Sequence, residues 1–490
     1  MNTVGNIGHN VSAEERELAG RGIPGLFFKF ALPGVVGLLF VGIQSIIDGI
    51  VLGRWMGANA LASVNLVLPC YSFMTAFAIV MGVGCQTLIG ICLGRRDRKG
   101  ANDAFTTAFL FLSVFSSLVS LLIFVFAGEI AVWLGANEAL QAGAVEYIRA
   151  LVPFFPVLSV MFLGDYVLKA TGHPLYAMLV LSGTVILNIV LNLLFVVCLE
   201  WGITGAGLAT GFAFTVGLIL NYFLLVGKRS LLPLSAGRFR HRWVWKMFYN
   251  GSSEGMSELS AGITVYLFNI TMMHYLGEQG VAAFTATNYV LFIGTTIFLG
   301  ISDGCIPIMS YNFGAGRLDR VRATLRMAFR TNLILGMLLF CVLFFGGEHI
   351  VSLFFRSGDA DVLRIAVMGT SIYAFAFLMN GLNILASSYF TAMGNAQISI
   401  IISLLRGLVF VGIGIVVFPV LFGIESIWYD VPVAEAFTLF VSLWLIRKSF
   451  RVGVDCGKPI VSQPERVPVS SREQIPKNKG QDRFEDVFLH

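Results

Sequence analysis

The sequence predicts an all-α polytopic membrane protein, with twelve transmembrane helices arranged as two pseudo-symmetric lobes of six. Three observations predict this fold: the composition, the length of the apolar runs and an internal repeat. Of the 490 residues, 57% are hydrophobic and only 12% are charged, and the mean hydropathy is +0.82. A soluble domain carries about 25% charged residues, so the composition excludes an ordinary soluble protein.

The apolar runs predict helices, because lipid offers the backbone no hydrogen-bond partners and each run can cross about 30 Å of hydrocarbon as a helix. Several runs exceed about 20 residues, which allows tilt or extension beyond the bilayer. The predicted runs are 27–53, 61–93, 102–127, 145–170, 175–199, 203–226, 247–276, 281–312, 323–346, 363–393, 397–421 and 424–446.

Basic residues are concentrated in alternate loops, and this bias predicts the orientation. Four of them lie in segment 95–99, six in 228–246 and four in 317–326, whereas the intervening loops hold few. The positive-inside rule places such loops in the cytoplasm. Since an even number of helices returns the chain to its starting side, both termini are predicted to be cytoplasmic.

The sequence also argues against several other function classes. The seven cysteines form no CxxC pair and no cluster with histidine, so neither a disulfide framework nor a metal site is predicted. No Walker motif occurs, and we predict neither ATP-driven pumping nor an enzyme. The net charge of +5 comes from short loops between apolar segments, so no nucleic-acid partner is predicted.

The two halves of the chain repeat each other at a fixed offset. LGRRDRKGA (93–101) matches AGRLDRVRA (315–323), and KATGHP (169–174) matches TAMGNA (391–396) at the same spacing along the chain. Because each half holds six helices, both copies have the same orientation, as in a parallel repeat related by an axis along the membrane normal. Two facing bundles suit alternating access, and the other interpretation is a duplicated bundle that transports nothing.

The repeat and the composition together predict five segments. They are a cytoplasmic N-terminal segment (1–25), an N-terminal six-helix lobe (26–227), a cytoplasmic basic linker (228–246), a C-terminal six-helix lobe (247–448) and a disordered cytoplasmic tail (449–490).

The chain resembles the multidrug and toxic compound extrusion (MATE) family, and within it the bacterial DinF-related branch. The resemblance covers residues from about 25 to about 448, and the order and spacing of the motifs make it specific. The motifs that carry it include ALPGVVGLLFVGIQSIIDGIVLGRWMGANALASVN (31–65), GVGCQTLIGICLGRRD (82–97), LKATGHPLYAM (168–178), ILNIVLN (186–192), GITGAGLAT (202–210), SSEGMSELSAGI (252–263), PIMSYNFGAG (307–316) and SYFTAMGNAQISI (388–400).

The resemblance implies a V-shaped pair of lobes that exports cationic compounds, driven by inward H⁺ or Na⁺. It assigns the coupling carboxylate of the first helix to Asp48, and further polar positions to Asn188, Asn192 and Thr210. Asn192 departs from the family pattern, in which a carboxylate is usual. That departure weakens a Na⁺ site and favours H⁺. The acidic position of the NorM-type branch falls near Ala261, so that site is not carried over.

Asp48 lies deep in the first apolar run, where an ionised side chain costs at least about 2.5–3.5 kcal/mol on insertion scales. Burial favours the protonated form of a carboxyl, so Asp48 could bind a proton from outside and release it inside. One proton or one organic cation could satisfy it, which is the simplest antiport mechanism. Pro33 in the same helix offers a bend. The alternative is that Asp48 is a structural anchor paired with Arg54.

Other intramembrane polar residues are second-tier candidates. Intramembrane ions usually pair or face a cavity, so Arg406 is expected to join a network with Glu258 or Glu435. Substrate or second-proton binding in the C-terminal lobe is the equal alternative. Asp165, close to Lys169, is expected to be an anchor or a gate. The complete second tier is Gln44, Glu254, Glu258, Asp303, Arg406, Asp430 and Glu435.

These observations predict a secondary active multidrug antiporter that exports small organic cations in exchange for H⁺, with Na⁺ as the other candidate ion. No cofactor and no metal are expected. The predicted location is the bacterial cytoplasmic (inner) membrane. The protein is predicted to be a monomer in contact with membrane lipid. One alternative is a lipid-linked saccharide flippase, whose cavity should be strongly basic to hold pyrophosphate. A second is a non-transporting scaffold, which would have no reason to keep buried carboxylates.

Overall fold

The computed structural model describes residues 13–225, 237–352, 355 and 360–452, and every regular element in these ranges is a helix. We number the membrane-spanning helices α1 to α12. They are α1 (Ile23–Gly57), α2 (Asn59–Gly94), α3 (Arg98–Val125), α4 (Glu138–Ala170), α5 (Pro174–Cys198), α6 (Gly202–Leu225), α7 (241–276), α8 (278–314), α9 (Leu318–Ser352), α10 (Asp361–Ala392), α11 (Ala396–Phe422) and α12 (Ile424–Arg451).

The count of twelve includes the division of one very long helix. Residues His241–Gly314 form 74 consecutive helical residues, which at 1.5 Å per residue measure roughly 110 Å. No bilayer is that thick, and Gly277 interrupts the helix with φ 61° and ψ −152°. Gly57 separates α1 from α2 in the same way, with φ 84°. Positive φ is open to glycine because it has no Cβ.

The backbone shows the duplication that the sequence predicts. A 3₁₀ turn, Val152–Phe154, interrupts α4, and a second one, Ala374–Ala376, interrupts α10. The offset between the two turns equals the offset between KATGHP and TAMGNA in the sequence. Helices α5 and α11 each contain a π-helical turn, Leu193–Cys198 and Leu405–Val409. Such irregularities are rare and often mark functional sites. Their presence in equivalent helices confirms the pseudo-symmetric fold, although the exact lobe boundaries stay predictions.

Small residues join the two halves. A Cβ added at Gly251 of α7 would lie 1.8 Å from the Val80 carbonyl oxygen of α2. One added at Gly34 of α1 would lie 2.5 Å from the Gly300 carbonyl oxygen of α8. Side chains are therefore excluded at both crossings. Membrane helices commonly use such small residues to bring backbones into contact, and here they hold the first helix pair of each half together.

Several boundaries differ from the predictions. Helix α7 begins at His241, inside the predicted linker, while residues 226–236 lie outside the described ranges. The predicted N-terminal segment contains a short helix, Ala13–Gly20, and α12 runs past the predicted start of the tail to Arg451. The rest of the predicted tail, 453–490, lies outside the described residues. Basic residues in the first turns of α7 and the last turns of α12 explain the shifts of these two helix ends, because such turns extend beyond the apolar part of the helix.

Pro33 lies within α1, as predicted. Gly57 is the one residue of Ile23–Gly94 with non-helical φ and ψ, so the backbone around Pro33 keeps helical dihedral angles. A proline in a helix interior still removes one backbone donor. A bend at Pro33 that responds to protonation therefore stays a prediction.

Candidate functional site

Asp48 is held by side-chain amides from two helices. Asn192 of α5 donates an N–H from Nδ2 to Asp48 Oδ1 over 2.6 Å. Gln44, one turn earlier on α1, approaches the other carboxylate oxygen with its Nε2 at 3.5 Å. Residues four apart share a helix face, so Gln44 and Asp48 point together toward α5.

The hydrogen bonds continue from Asp48 into α6. Gln44 Nε2 also donates to Asn188 Oδ1 over 2.8 Å, and Asn188 Nδ2 donates to Thr210 Oγ1 over 3.1 Å. We call the set Gln44, Asp48, Asn188, Asn192 and Thr210 the amide cluster. The structure thus brings together all four residues that the family resemblance selected, and adds one second-tier residue, Gln44. Their roles in coupling stay predictions.

The amide cluster contains one ionisable group and no cation. Asn188, Asn192 and Thr210 are buried, and the Oδ1 atom of Asn192 is buried without a hydrogen-bond partner among the described residues. The alternative partner of Asp48, Arg54, is exposed and lies 5.5 Å from the ring centroid of Trp55. No ion pair between Asp48 and Arg54 forms in the described part of the chain, so the anchor interpretation gains no support.

The π-helical turn of α5 begins directly after Asn192. A π turn widens the helix by one residue and is found mostly at functional positions. Here it lies next to the amide that donates to Asp48. The irregular backbone and the only carboxylate of the amide cluster are therefore adjacent.

A second constellation, the lobe bridge, joins the two halves through ionic contacts. Lys169 Nζ of α4 lies 2.6 Å from Asp165 Oδ2 on the same helix and 2.8 Å from Asp303 Oδ2 on α8. All three side chains are at most 16% exposed. The predicted pair of Asp165 and Lys169 is present, but its link to Asp303 in the other lobe was missed, because the two sequence positions lie 134 residues apart.

A third constellation surrounds Glu435 in the C-terminal half. Asn380 and Asn383 of α10 donate from Nδ2 to its two carboxylate oxygens, over 2.8 Å and 2.6 Å. Ser442 in turn donates to Asn383 Oδ1 over 3.0 Å. The two asparagines were not among the predicted site residues. In the sequence they could have been recognised as two asparagines three residues apart within an apolar run.

Arg406 is not in direct contact with the glutamates expected to pair with it. Its Nη1 is buried without a hydrogen-bond partner, and among the described residues it forms no ion pair with Glu258 or Glu435. It nevertheless lies within electrostatic range of Glu254, Glu258 and Glu435. Arg406 therefore has a buried donor nitrogen, Nη1, without a hydrogen-bond partner among the described residues, and it interacts electrostatically with three glutamates.

The remaining candidates differ in their exposure and in their hydrogen bonding. Glu258 is exposed and Glu254 is half-buried on the same face of α7. Asp430 is 1% exposed, and both of its carboxylate oxygens lack hydrogen-bond partners in the described ranges.

One short motif near these residues has the spacing of a hydrolase nucleophile, and sequence reasoning missed it. Residues 251–255 read G-S-S-E-G, which fits G-x-S-x-G. That motif needs a strand-to-helix turn that exposes the serine. Ser253 instead lies inside α7, where it is buried and shares a 3.0 Å hydrogen bond with the Thr391 hydroxyl. The motif does not build a hydrolase site here.

The sequence also matches known proteins. The MatE family model matches residues 33–194 and 261–417, which together make up more than half of the chain. The chain belongs to the MatE family. The MatE family consists of transporters rather than enzymes, so the predicted transporter class is confirmed. The DinF-related branch within the family stays a prediction.

Relatives of this MatE protein include multidrug export protein MepA of Staphylococcus aureus (strain MSSA476). MepA is 21% identical over 421 residues, which cover 85% of this chain and 92% of MepA. The crystal structure of MATE in complex with MaL6 aligns with a TM-score of 0.85 at 19% identity, covering 90% of this chain and 99% of that one. An outward-facing multidrug resistance MATE transporter of the MOP superfamily aligns with a TM-score of 0.83. These alignments confirm the predicted fold.

Proposed function

We propose that this MatE protein is a secondary active antiporter that exports small organic, mainly cationic compounds in exchange for inward H⁺ by alternating access. The observation that carries the proposal is the amide cluster: one intramembrane carboxylate, Asp48, is surrounded by neutral amides and forms no ion pair with any residue that the structure describes. Intramembrane carboxylates are costly and mark ion or substrate pathways.

Protonation of Asp48 would change its hydrogen bonding in a defined way. The ionised carboxylate accepts an N–H from Asn192, whose own Oδ1 lacks a partner. A protonated carboxyl carries an O–H donor, which needs an acceptor such as that oxygen. Rotation of the Asn192 amide would satisfy the new donor and break the old bond. The cluster therefore has two hydrogen-bonded arrangements, one for each charge state.

The same geometry favours H⁺ over Na⁺ as the coupling ion. A Na⁺ site needs several oxygen ligands directed at the ion, and hard cations prefer anionic oxygens. Around Asp48, the amides of Gln44 and Asn192 direct nitrogen atoms toward the carboxylate. Asn192 also replaces the second acid that the family pattern would supply. The cluster thus holds a single anionic group, which one proton neutralises.

The charge balance supports cationic substrates over the flippase alternative. A flippase for a pyrophosphate-linked lipid needs a basic cavity. In the described helices, Lys169 is already matched by two aspartates, and Arg406 lies among three glutamates. Acidic side chains therefore outnumber basic ones around Lys169 and around Arg406. We further propose that the protein is a monomer of the bacterial cytoplasmic membrane, and the basic loops support cytoplasmic termini.

Dye transport into everted membrane vesicles tests the proposal. We expect a fluorescent organic cation to accumulate under a pH gradient but not under a Na⁺ gradient alone, and we expect Asp48→Asn to abolish the accumulation. Arg54→Gln is the control, since it removes an exposed charge of the same helix outside the amide cluster and should leave transport unchanged. Full transport by a well-folded Asp48→Asn protein contradicts the coupling role. A lack of transport by the unmodified protein under either gradient favours the flippase.

A further inference from the structure

A groove between α9 and α12 combines an apolar floor with a basic rim. Its volume is about 360 Å³. Leu325 and Phe329 of α9 and Leu443 and Ile446 of α12 line the floor. It lies outside all three polar constellations described above, and transport by the amide cluster does not require it.

Two arginines lie at one end of the groove. Arg322 and Arg326 are four residues apart, so they project from the same face of α9. Both are exposed, and neither forms an ion pair within the described residues. The Arg322 guanidinium lies 5.0 Å from the ring centroid of Phe450, which also lines the groove. The end of α12 adds Arg447, Lys448 and Arg451 nearby in sequence.

The groove lies where the apolar belt gives way to basic residues. Further along α9, Ile334 is 68% exposed, and one to two turns before the groove residues of α12, Phe440 is 75% exposed. Exposed side chains of this kind face lipid tails in a membrane protein. The basic end belongs to the loop side that the positive-inside rule assigns to the cytoplasm. Phe329 and Leu443, the floor residues farthest along each helix from its basic end, therefore lie towards the acyl chains, and the two arginines lie towards the headgroups.

We propose that this groove binds an anionic phospholipid of the cytoplasmic leaflet. The phosphate lies between Arg322 and Arg326, and one acyl chain follows the floor. Arginine suits a phosphate because its planar guanidinium donates two parallel hydrogen bonds. Basic pockets between membrane helices on the cytoplasmic side are suited to lipid headgroups. A bound lipid would tie the cytoplasmic ends of α9 and α12 together.

The alternatives fit the groove less well. An organic cation, the proposed transport substrate, would be repelled by the unpaired arginines. A free phosphate would leave the apolar floor without a role. Only an amphiphile with an anionic head uses both parts, since the head meets the charge and the tail covers the apolar side chains.

Lipid titration of the purified full-length protein tests the proposal. Phosphatidylglycerol, phosphatidylcholine with the same acyl chains and sodium phosphate are each added to delipidated protein in a neutral detergent, and the Tm is followed. A ligand that binds only the folded state raises the Tm with concentration. We expect phosphatidylglycerol to raise it at lower concentration than phosphatidylcholine, and sodium phosphate to have no effect.

Three variants locate the effect. Arg322→Gln/Arg326→Gln should weaken the apparent phosphatidylglycerol affinity by roughly tenfold or more. Ile446→Trp should weaken it as well, because it fills the floor while keeping both arginines. The control Lys99→Gln/Arg242→Gln removes two exposed charges elsewhere on the same membrane side and should leave the affinity unchanged.

Each contrary result overturns the proposal. Equal stabilisation by the two lipids removes the anionic requirement. Unchanged affinity in the double arginine variant shows that lipid binds elsewhere, and native mass spectrometry of the same samples reports the number of lipids bound. A response to sodium phosphate, or normal binding by Ile446→Trp, shows a headgroup-only anion site in place of a phospholipid site.

Discussion

The N-terminal and C-terminal lobes share a backbone but differ in their polar chemistry. Gly57 and Gly277 break the chain at equivalent points of the two halves. When the halves are aligned on these two glycines, the counterpart of Asp48 is Phe268, which is fully buried and stacks on Phe284 with ring centroids 4.8 Å apart. The two halves therefore share the turns, but one carries a carboxylate where the other carries an aromatic core residue.

The reverse holds for the charges of the C-terminal lobe. When the halves are aligned on KATGHP and TAMGNA, the counterpart of Arg406 is Thr184, whose hydroxyl donates to the Val180 carbonyl oxygen over 2.8 Å within its own helix. At these positions the N-terminal lobe keeps Asp48 among neutral amides, whereas the C-terminal lobe keeps an arginine, Arg406, that interacts with several glutamates. We infer that both lobes use the same helical backbone and that ion coupling resides in one of them.

The largest expected effect comes from breaking the lobe bridge. Lys169→Met would leave Asp165 and Asp303 buried without their cation. Removing one partner of a buried ion pair costs about 3–5 kcal/mol, so a large fall in Tm is expected in detergent. Lys448→Met is the control, because Lys448 is exposed beside Trp444. If Lys169→Met melts like the control, the bridge does not hold the lobes together.

A smaller effect is expected from the glutamate of the C-terminal lobe. Asn383→Leu removes the 2.6 Å donor to Glu435 and leaves that buried carboxylate with Asn380. A hydrogen bond to a charged group contributes about 1.5–3 kcal/mol, so unfolding should be easier by about that amount. In a double-mutant cycle, Glu435→Gln should remove most of the penalty. An additive cycle would show that Asn383 does not act through Glu435.

Asn192→Asp sharpens the contrast between proton and sodium coupling. It places a second carboxylate beside Asp48, which creates the anionic pair that a Na⁺ site prefers. We expect a Na⁺ gradient to stimulate transport by this variant by about tenfold over the unmodified protein, equivalent to about 1.4 kcal/mol. Asn188→Asp, one turn away, is the matched comparison. Equal Na⁺ responses of all three proteins would contradict the ligand argument.

The smallest effect concerns the N-terminal helix, outside the membrane. Glu17 accepts a hydrogen bond from Lys29 and pairs with Arg21 at 2.7 Å. The Lys29 contact, aided by Arg21, lowers the pKa of Glu17 below its usual value. A lowered pKa stabilises the fold above the unfolded value of about 4.3, and this contribution is lost as the pH falls through the folded pKa.

Glu17→Gln should therefore lower the Tm slightly at pH 7, because Glu17 is substantially exposed and solvent weakens its ion pairs. The difference from the unmodified protein should shrink as the pH is lowered below about 4. Thermal melts across that range measure it. A difference that grows on acidification would contradict the assigned sign.

The sequence predicted the fold better than it predicted the contacts between lobes. Apolar runs and repeated motifs predicted twelve helices in two halves, because hydropathy and helix length follow directly from bilayer thickness. The amide cluster was predicted through a family resemblance. The contact of Lys169 with Asp303 could not be predicted, since it depends on how two helices far apart in sequence cross. The start of α7 at His241 was missed because its first turns are basic.

The central claim is that Asp48 holds either a proton or a substrate cation. The most direct test is to add a fluorescent organic cation to purified protein in weakly buffered solution and to measure proton release together with dye binding. The account predicts that about one proton leaves per dye bound at a pH where Asp48 is protonated, and that Asp48→Asn releases none. Dye binding without proton release, or the same release from Asp48→Asn, would contradict it.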